Sequence, residues 1–282
     1  MAPSTLCGIL GAFLSTAVVA AEPRVEDVAF TSHDTTLAGS IVWPVDTPPV
    51  AALVFVHGSG PQARNLALAR RFAENGVAAL VYDKRGAGRS GGDYEAEQSV
   101  SGPNITLLAD DAVAAVELLA DRMDPARVPV GLAGISQAGW IAPLAATRTT
   151  HARFLLLWSA PVCKVSEEDI YSKHTADQDG PDRPAFEDAL AARRHPYVWP
   201  AFLGRDTDAA EDLARVRIPG LWIFGDHDGS IPVDLSLRQL DRLRAAGHRY
   251  DIRVFPGQGH NNMTATFDAG IDWLRALAAS AD

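Results

Sequence analysis

Ser136 stands among small neighbours in Gly134-Ile135-Ser136-Gln137-Ala138-Gly139. Far downstream come two aspartates, Asp226 and Asp228, and then His260; far upstream comes His57-Gly58-Ser59. A fold that gathers a serine, a carboxylate and an imidazole can carry out acyl transfer. A serine hydroxyl is a poor nucleophile near neutral pH. A neutral histidine within hydrogen-bond reach takes its proton, and a carboxylate sets the imidazole tautomer and stabilises the imidazolium. Alone, Gly-x-Ser-x-small also describes an ordinary strand-to-helix connection whose serine caps the helix. The surrounding elements decide between the two.

Residues 128–133 form an apolar run of strand length, and 140–146 continue as an apolar helix. The serine therefore falls on a sharp turn from strand to helix, where small neighbours let the two backbones approach. Further strands are expected at 25–32 and 36–43, around a turn at 33–35, and at 51–56, 77–82, 154–159, 220–225 and 250–255. Helices are expected at 65–75, stopped by Gly76, at 110–122, at 235–246, ending at Gly247, and at 264–279. Strands alternating with helices predict an α/β protein, with a mostly parallel eight-stranded sheet and helices on both faces. Ligand sites in such sheets lie beyond the carboxyl ends of the strands. His57-Gly58-Ser59, Ser136, Asp226 or Asp228, and His260 all fall at those ends. Residues 161–216 break the pattern with prolines, mixed charge and aromatics. They read as a small helical cap insert, with helices near 167–176 and 184–194, over the strand ends.

The 282 residues, 47% hydrophobic, suffice for one large core. A net charge of -10 argues against nucleic acid and anionic membrane surfaces as partners. The two cysteines, Cys7 and Cys163, supply neither a disulfide framework nor a zinc cluster. Residues 1–21 carry no charged side chain and end in Val18-Val19-Ala20-Ala21 before Glu22-Pro23. They read as a signal peptide cleaved near Ala20 or Ala21, although the usual basic start is missing. Residues 22–282 would then be a periplasmic or secreted domain with no stable membrane insertion, and Cys163 a packed thiol.

Five short pieces in order carry a family resemblance: His57-Gly58-Ser59-Gly60-Pro61, Tyr82-Asp83-Lys84-Arg85-Gly86-Ala87-Gly88-Arg89-Ser90, Gly134-Ile135-Ser136-Gln137-Ala138-Gly139-Trp140, Gly225-Asp226-His227-Asp228, and Gly259-His260. With them the chain resembles the α/β-hydrolase superfamily from about Val25 onward. It is most similar to secreted or periplasmic bacterial esterase-like members, near the prolyl oligopeptidase and dienelactone hydrolase branches. The order Ser, Asp, His fits a nucleophile elbow of that fold. The resemblance implies Ser136 as nucleophile, His260 as base and Asp228 as acid, the family spacing of Gly, two residues, then Asp choosing Asp228. Asp226, directly at the strand end, is expected to hydrogen-bond its loop. Ala138 departs from the glycine many members carry there. The implied activity is cleavage of a carboxylic ester through an acyl-enzyme.

Two backbone N–H groups are expected to hold the oxyanion: that of Gln137, just after the nucleophile, and that of Ser59, after the 51–56 strand. Asp83 and Arg85 are expected to pair and brace the loop at 86–90. His57 is expected to hold its own loop by hydrogen bonds. His33, His151 and His248 fall in surface-like turns, and His174 and His195 in the insert. No cofactor and no metal are expected. The glycine-rich 83–92 lacks Gly-Lys-Ser/Thr and opens no helix, and the ligands around His227 are too close together for a metal. The partner is a small-molecule ester or a short peptide; the oligomeric state is not legible. A peptidase would need an anchor for a peptide amine, for which Glu167, Glu168 and Asp169 are available, though they read equally as a solvated charge run. A catalytically degenerate binding protein is the remaining alternative.

Overall fold

The computed structural model describes residues 22–96, 99–124 and 126–280. The expected signal peptide, with Cys7, lies outside them. The chain begins with an antiparallel hairpin, β1 (Arg24–Ser32) and β2 (Thr35–Trp43). It continues through β3 (Ala51–Val56), helix α1 (Leu66–Glu74), β4 (Val77–Tyr82), α2 (Gly102–Ala120), β5 (Val130–Ile135), α3 (Ala138–Ala146) and β6 (Leu155–Trp158). After β6 come α4 (Val165–Thr175), α5 (Phe186–Ala191), a single 3-10 turn (Ala201–Leu203) and α6 (Ala209–Arg215). The chain closes with β7 (Gly220–Gly225), α7 (Val233–Ala245), β8 (Tyr250–Phe255) and α8 (Met263–Ala279). The strands form one eight-stranded sheet in the order β1-β2-β4-β3-β5-β6-β7-β8. β2 joins β4 antiparallel, and from β4 to β8 every pairing is parallel.

Every residue of β3, β4, β6 and β7 is buried. Such a strand serves two cores at once, because successive side chains point to opposite faces. Ala52, Val54 and Val56 of β3 face a core completed by Ile105, Leu108 and Val116 of α2, Trp140 and Ile141 of α3 and Leu240 of α7. Leu53 and Phe55 face the other core, completed by Leu68 and Phe72 of α1 and Phe267, Ile271 and Leu274 of α8. Phe72 and Phe267 meet at 4.8 Å between ring centroids. Full burial of one such ring contributes roughly 2–3 kcal/mol by area.

Two elements differ from expectation. α2 begins at Gly102, well before residue 110. Ser101 caps it by accepting the Asn104 N–H, and Pro103 sits in the first turn, where its missing N–H is not needed. Its buried stripe is Ile105, Leu108, Ala112, Ala115, Val116 and Leu119; Val113 and Leu118 are half-buried. Between β6 and β7, α4 and α5 enclose a small cluster of Cys163, Ile170, Tyr171, Phe186 and Ala189 with Leu235 of α7. The unexpected α6 instead places Ala209 and Leu213 in the main core.

Candidate active site

The turn between β5 and α3 holds Ser136 at φ +56°, a left-handed conformation unusual for serine. Close packing enforces it. A Cβ on Gly134 would stand 2.4 Å from Ala138 Cβ and 2.7 Å from the Val56 oxygen, and one on Gly139 would stand 2.7 Å from Pro161. Ala138 therefore fits because Gly134 has no side chain. The Ser136 N–H donates to the Trp158 carbonyl, tying the turn to β6.

His260 hangs from the loop after β8. Its Nε2 lies 3.0 Å from Ser136 Oγ. Its Nδ1 lies 2.9 and 3.1 Å from the two carboxylate oxygens of Asp228. An ionised carboxylate only accepts, so Nδ1 carries the proton and Nε2 is left to accept from the serine hydroxyl. Asp228 is buried, and its Oδ1 also accepts the N–H groups of Ser230 and Ile231. Burial works against a charged His260, but the hydrogen bond and charge of Asp228, with help from Asp179 and Asp177, outweigh it and raise the imidazole pKa. Asp226 turns away and accepts the Gly257 N–H.

Three residues that carried no sequence signal position this histidine. Ser159, itself at φ +42°, donates to the His260 carbonyl. Asn262 donates to Ser159 Oγ and to the Gly259 carbonyl. Asp179, past the end of α4, accepts N–H groups from both Gly229 and His260 and so joins the two loops.

On the other side of Ser136 lies the loop after β3. A Cβ on Gly58 would sit 3.4 Å from Ser136 Cβ. Among the described residues, the Ser59 and Gln137 N–H groups donate to no other group. Lys84 Nζ donates to the Gly58 carbonyl at 2.9 Å and to Gln137 Oε1 at 2.8 Å.

Other assignments need correction. Asp83 and Arg85 do not pair. Asp83 accepts from the Arg64 guanidinium and from the Arg64 and Arg89 N–H groups. Burial opposes the charge, yet the Arg64 hydrogen bonds hold its carboxyl down at about 2. Arg85 reaches Asp111 of α2 with two nitrogens and also donates to Thr35. Each residue of the expected pair thus has a different partner, too far away in sequence to be read. His57 does not tie its loop through Nδ1, which has no partner among the described residues. It packs edge-on against Tyr82, and burial, with the charge of Lys84, lowers it to about 4. His248 is buried rather than on the surface, donating from Nδ1 to the Val216 carbonyl and stacked on Tyr250. His33 and His151 pair with Asp110 and Glu117, while His174 and His195 are exposed and bond to none of the site residues. Among the described residues no cluster of three or more His, Cys, Asp or Glu is arranged to hold a metal, and no helix is long and apolar enough to cross a membrane.

A serine on a strained strand-to-helix turn, faced by a histidine–aspartate pair at the carboxyl edge of this sheet, defines the α/β-hydrolase class of fold. Solved structures carry the same fold at low identity. A Pyrococcus furiosus esterase superposes with a TM-score of 0.64 at 17% identity, over 91% of this chain and 89% of its own. The Pyrococcus horikoshii acylaminoacyl peptidase gives 0.63 at 16% identity over 93% of this chain, which spans only 42% of the peptidase. Dienelactone hydrolase from Anabaena variabilis gives 0.57 at 18% identity, over 91% of this chain and 99% of its own. The family described as serine aminopeptidase, S33, matches residues 47–178. No curated protein sequence matches the chain. The chain therefore has the α/β-hydrolase fold, and over residues 47–178 it is similar to a family of hydrolases.

Proposed function

We propose that the protein is a serine hydrolase that cleaves carboxylic esters through an acyl-enzyme, with Ser136, His260 and Asp228 as its triad. The continuous hydrogen-bond path from Ser136 Oγ through both nitrogens of His260 to Asp228 carries this reading. Ser136 Oγ attacks the ester carbonyl carbon while its proton passes to His260 Nε2. The resulting oxyanion is held by the N–H groups of Ser59 and Gln137. The carbon–oxygen bond to the alcohol then breaks, and the alcohol leaves with the proton from His260. Water, deprotonated by the same nitrogen, attacks the acyl-enzyme and releases the acid and the free serine. Ser136→Ala should lower turnover on the order of a millionfold on a panel of esters of graded chain length. A fluorophosphonate should label the native protein at Ser136 and leave the variant unlabelled. Absence of labelling in the native protein would revive a degenerate binding role.

A second reading, cleavage of short peptides, draws on Glu168. Of the three acids available as amine anchors, Glu167 caps α4 by accepting the Lys164 N–H, and Asp169 is bonded to Lys173 and Tyr197. The Glu168 side chain makes no hydrogen bond among the described residues. It lies on the stripe of α4 that carries Tyr171 and Thr175, which donate to the carbonyls of Asp228 and Gly229. Burial and the nearby charges of Asp169, Asp177 and Asp228 push its carboxyl up to about 8, a site that an incoming ammonium group would ionise and pair with. Under this reading, aminoacyl amides outpace simple acyl esters and Glu168→Gln removes the preference. Under the first, simple esters are preferred and the variant matches the native enzyme.

Residues 1–21 we read as a cleaved export signal, which makes the enzyme periplasmic or secreted. N-terminal sequencing of protein recovered from cells should begin at Ala21 or Glu22.

A further inference from the structure

Lys84 is 2% exposed. No carboxylate among the described residues pairs with it; it donates to the Gly58 carbonyl and the Gln137 side chain. A buried cation without a counter-charge is costly and calls for a compensating gain. Its two hydrogen bonds suggest where that gain lies. The Gly58 oxygen and the Ser59 N–H belong to one peptide group. In a trans peptide the two are antiparallel, so pinning the oxygen sets the direction of the N–H. A cation bonded to the oxygen also polarises the peptide and makes the N–H a stronger donor. The second bond restrains Gln137, whose side-chain Nε2 donates in turn to the Ser99 carbonyl. One ammonium group therefore touches both the peptide group that carries the Ser59 N–H and the side chain of Gln137.

We infer that Lys84 is a positioning residue for the oxyanion: it orients and polarises the Ser59 donor, restrains Gln137, and supplies the positive charge that the negative oxygen requires. The inference rests on the serine-hydrolase reading above. Lys84 touches no reacting atom; it acts through the Ser59 donor and Gln137. Among the described residues its buried cation has no counter-charge, and it gains one when the tetrahedral anion forms, so its effect falls on the transition state rather than on substrate binding. Burial lowers the amine to about 8, which leaves it mainly charged at neutral pH. His57, the imidazole facing it, is held neutral and does not compete for the anion.

The full chain and its Lys84→Met and Lys84→Gln variants are compared on a p-nitrophenyl ester. Competent sites are counted by fluorophosphonate labelling carried to completion. Per labelled site, kcat should fall on the order of 10- to 100-fold in both variants while KM stays within about twofold. Inhibition by phenylboronic acid, whose Ser136 adduct carries a tetrahedral anion, should weaken by a similar factor. A kcat within about threefold of native in either variant, or a loss confined to KM, would overturn the inference and leave the ester-hydrolase reading intact. A native protein that neither labels nor turns over the ester would fail that reading itself, a distinct result.

Discussion

At the scale of single residues, the choice between two nearby carboxylates has a concrete consequence. Asp228 is buried and holds His260 Nδ1, whereas Asp226 supports the Gly257 turn. Asp228→Ala should cripple kcat/KM by roughly four orders of magnitude, and Asp226→Ala should cost far less. The reverse pattern in steady-state kinetics would move the acid to Asp226. The raised pKa of His260 also sets a pH limit. A base works only when neutral, so the rate should rise with pH through a midpoint above the ordinary histidine value. Asp228→Asn removes the charge that favours imidazolium, so the residual activity should have its midpoint at lower pH. An unmoved midpoint would detach the titration from His260. Ser136 and His260 were legible because their neighbours are small residues at strand ends. Asp179, Ser159 and Lys84 were not, because what they contact lies far away in sequence.

The elements position the site through their ends. β5 delivers Ser136 into α3, and the turn closes only because Gly134 and Gly139 leave room for Ala138, Val56 and Pro161. Gly139→Ala would drive a methyl into the Pro161 backbone, so either the helix or the loop after β6 must shift. The expected outcome is a loss of stability of about 1–3 kcal/mol in chemical denaturation, with activity falling further than stability. An unchanged denaturation midpoint and unchanged kcat would mean that the loop yields freely. Strands buried on both faces were legible as six-residue apolar runs, and β3, β4, β7 and β8 begin and end as expected. The start of α2 was not, because Gly102-Pro103 resembles a loop until Ser101 is seen to cap a helix. α6 was missed because its short sequence becomes amphipathic only against the main core.

Across the whole molecule, two buried ion pairs bind the loop after β4 to the rest of the fold. Arg64 meets Asp83, and Arg85 meets Asp111 of α2. Removing one partner of such a pair leaves a buried charge, so Asp111→Ala should cost about 3–5 kcal/mol of folding stability by urea titration. Asp83 adds a pH dependence. Its folded pKa of about 2 lies below the ordinary value of 3.8. Its stabilisation is therefore complete above the unfolded pKa and is lost as pH falls toward 2. An Asp83→Asn variant, less stable at neutral pH, should have a flatter stability profile across that acid range. The same acid slope in both proteins would assign the loss to other carboxylates.

By itself, the sequence determined the alternation of strand and helix, the two-faced burial of the central strands, and the edge of the sheet on which a serine, a histidine and an aspartate would meet. These follow from local spacing, because apolar periodicity and small residues act within a few positions along the chain. Only the tertiary structure decided that Asp228 reaches His260, that Asp83 and Arg85 have separate partners, and that a buried lysine bonds the Gly58 carbonyl and the Gln137 side chain. Those contacts join residues many tens of positions apart, and three-dimensional packing alone brings them together.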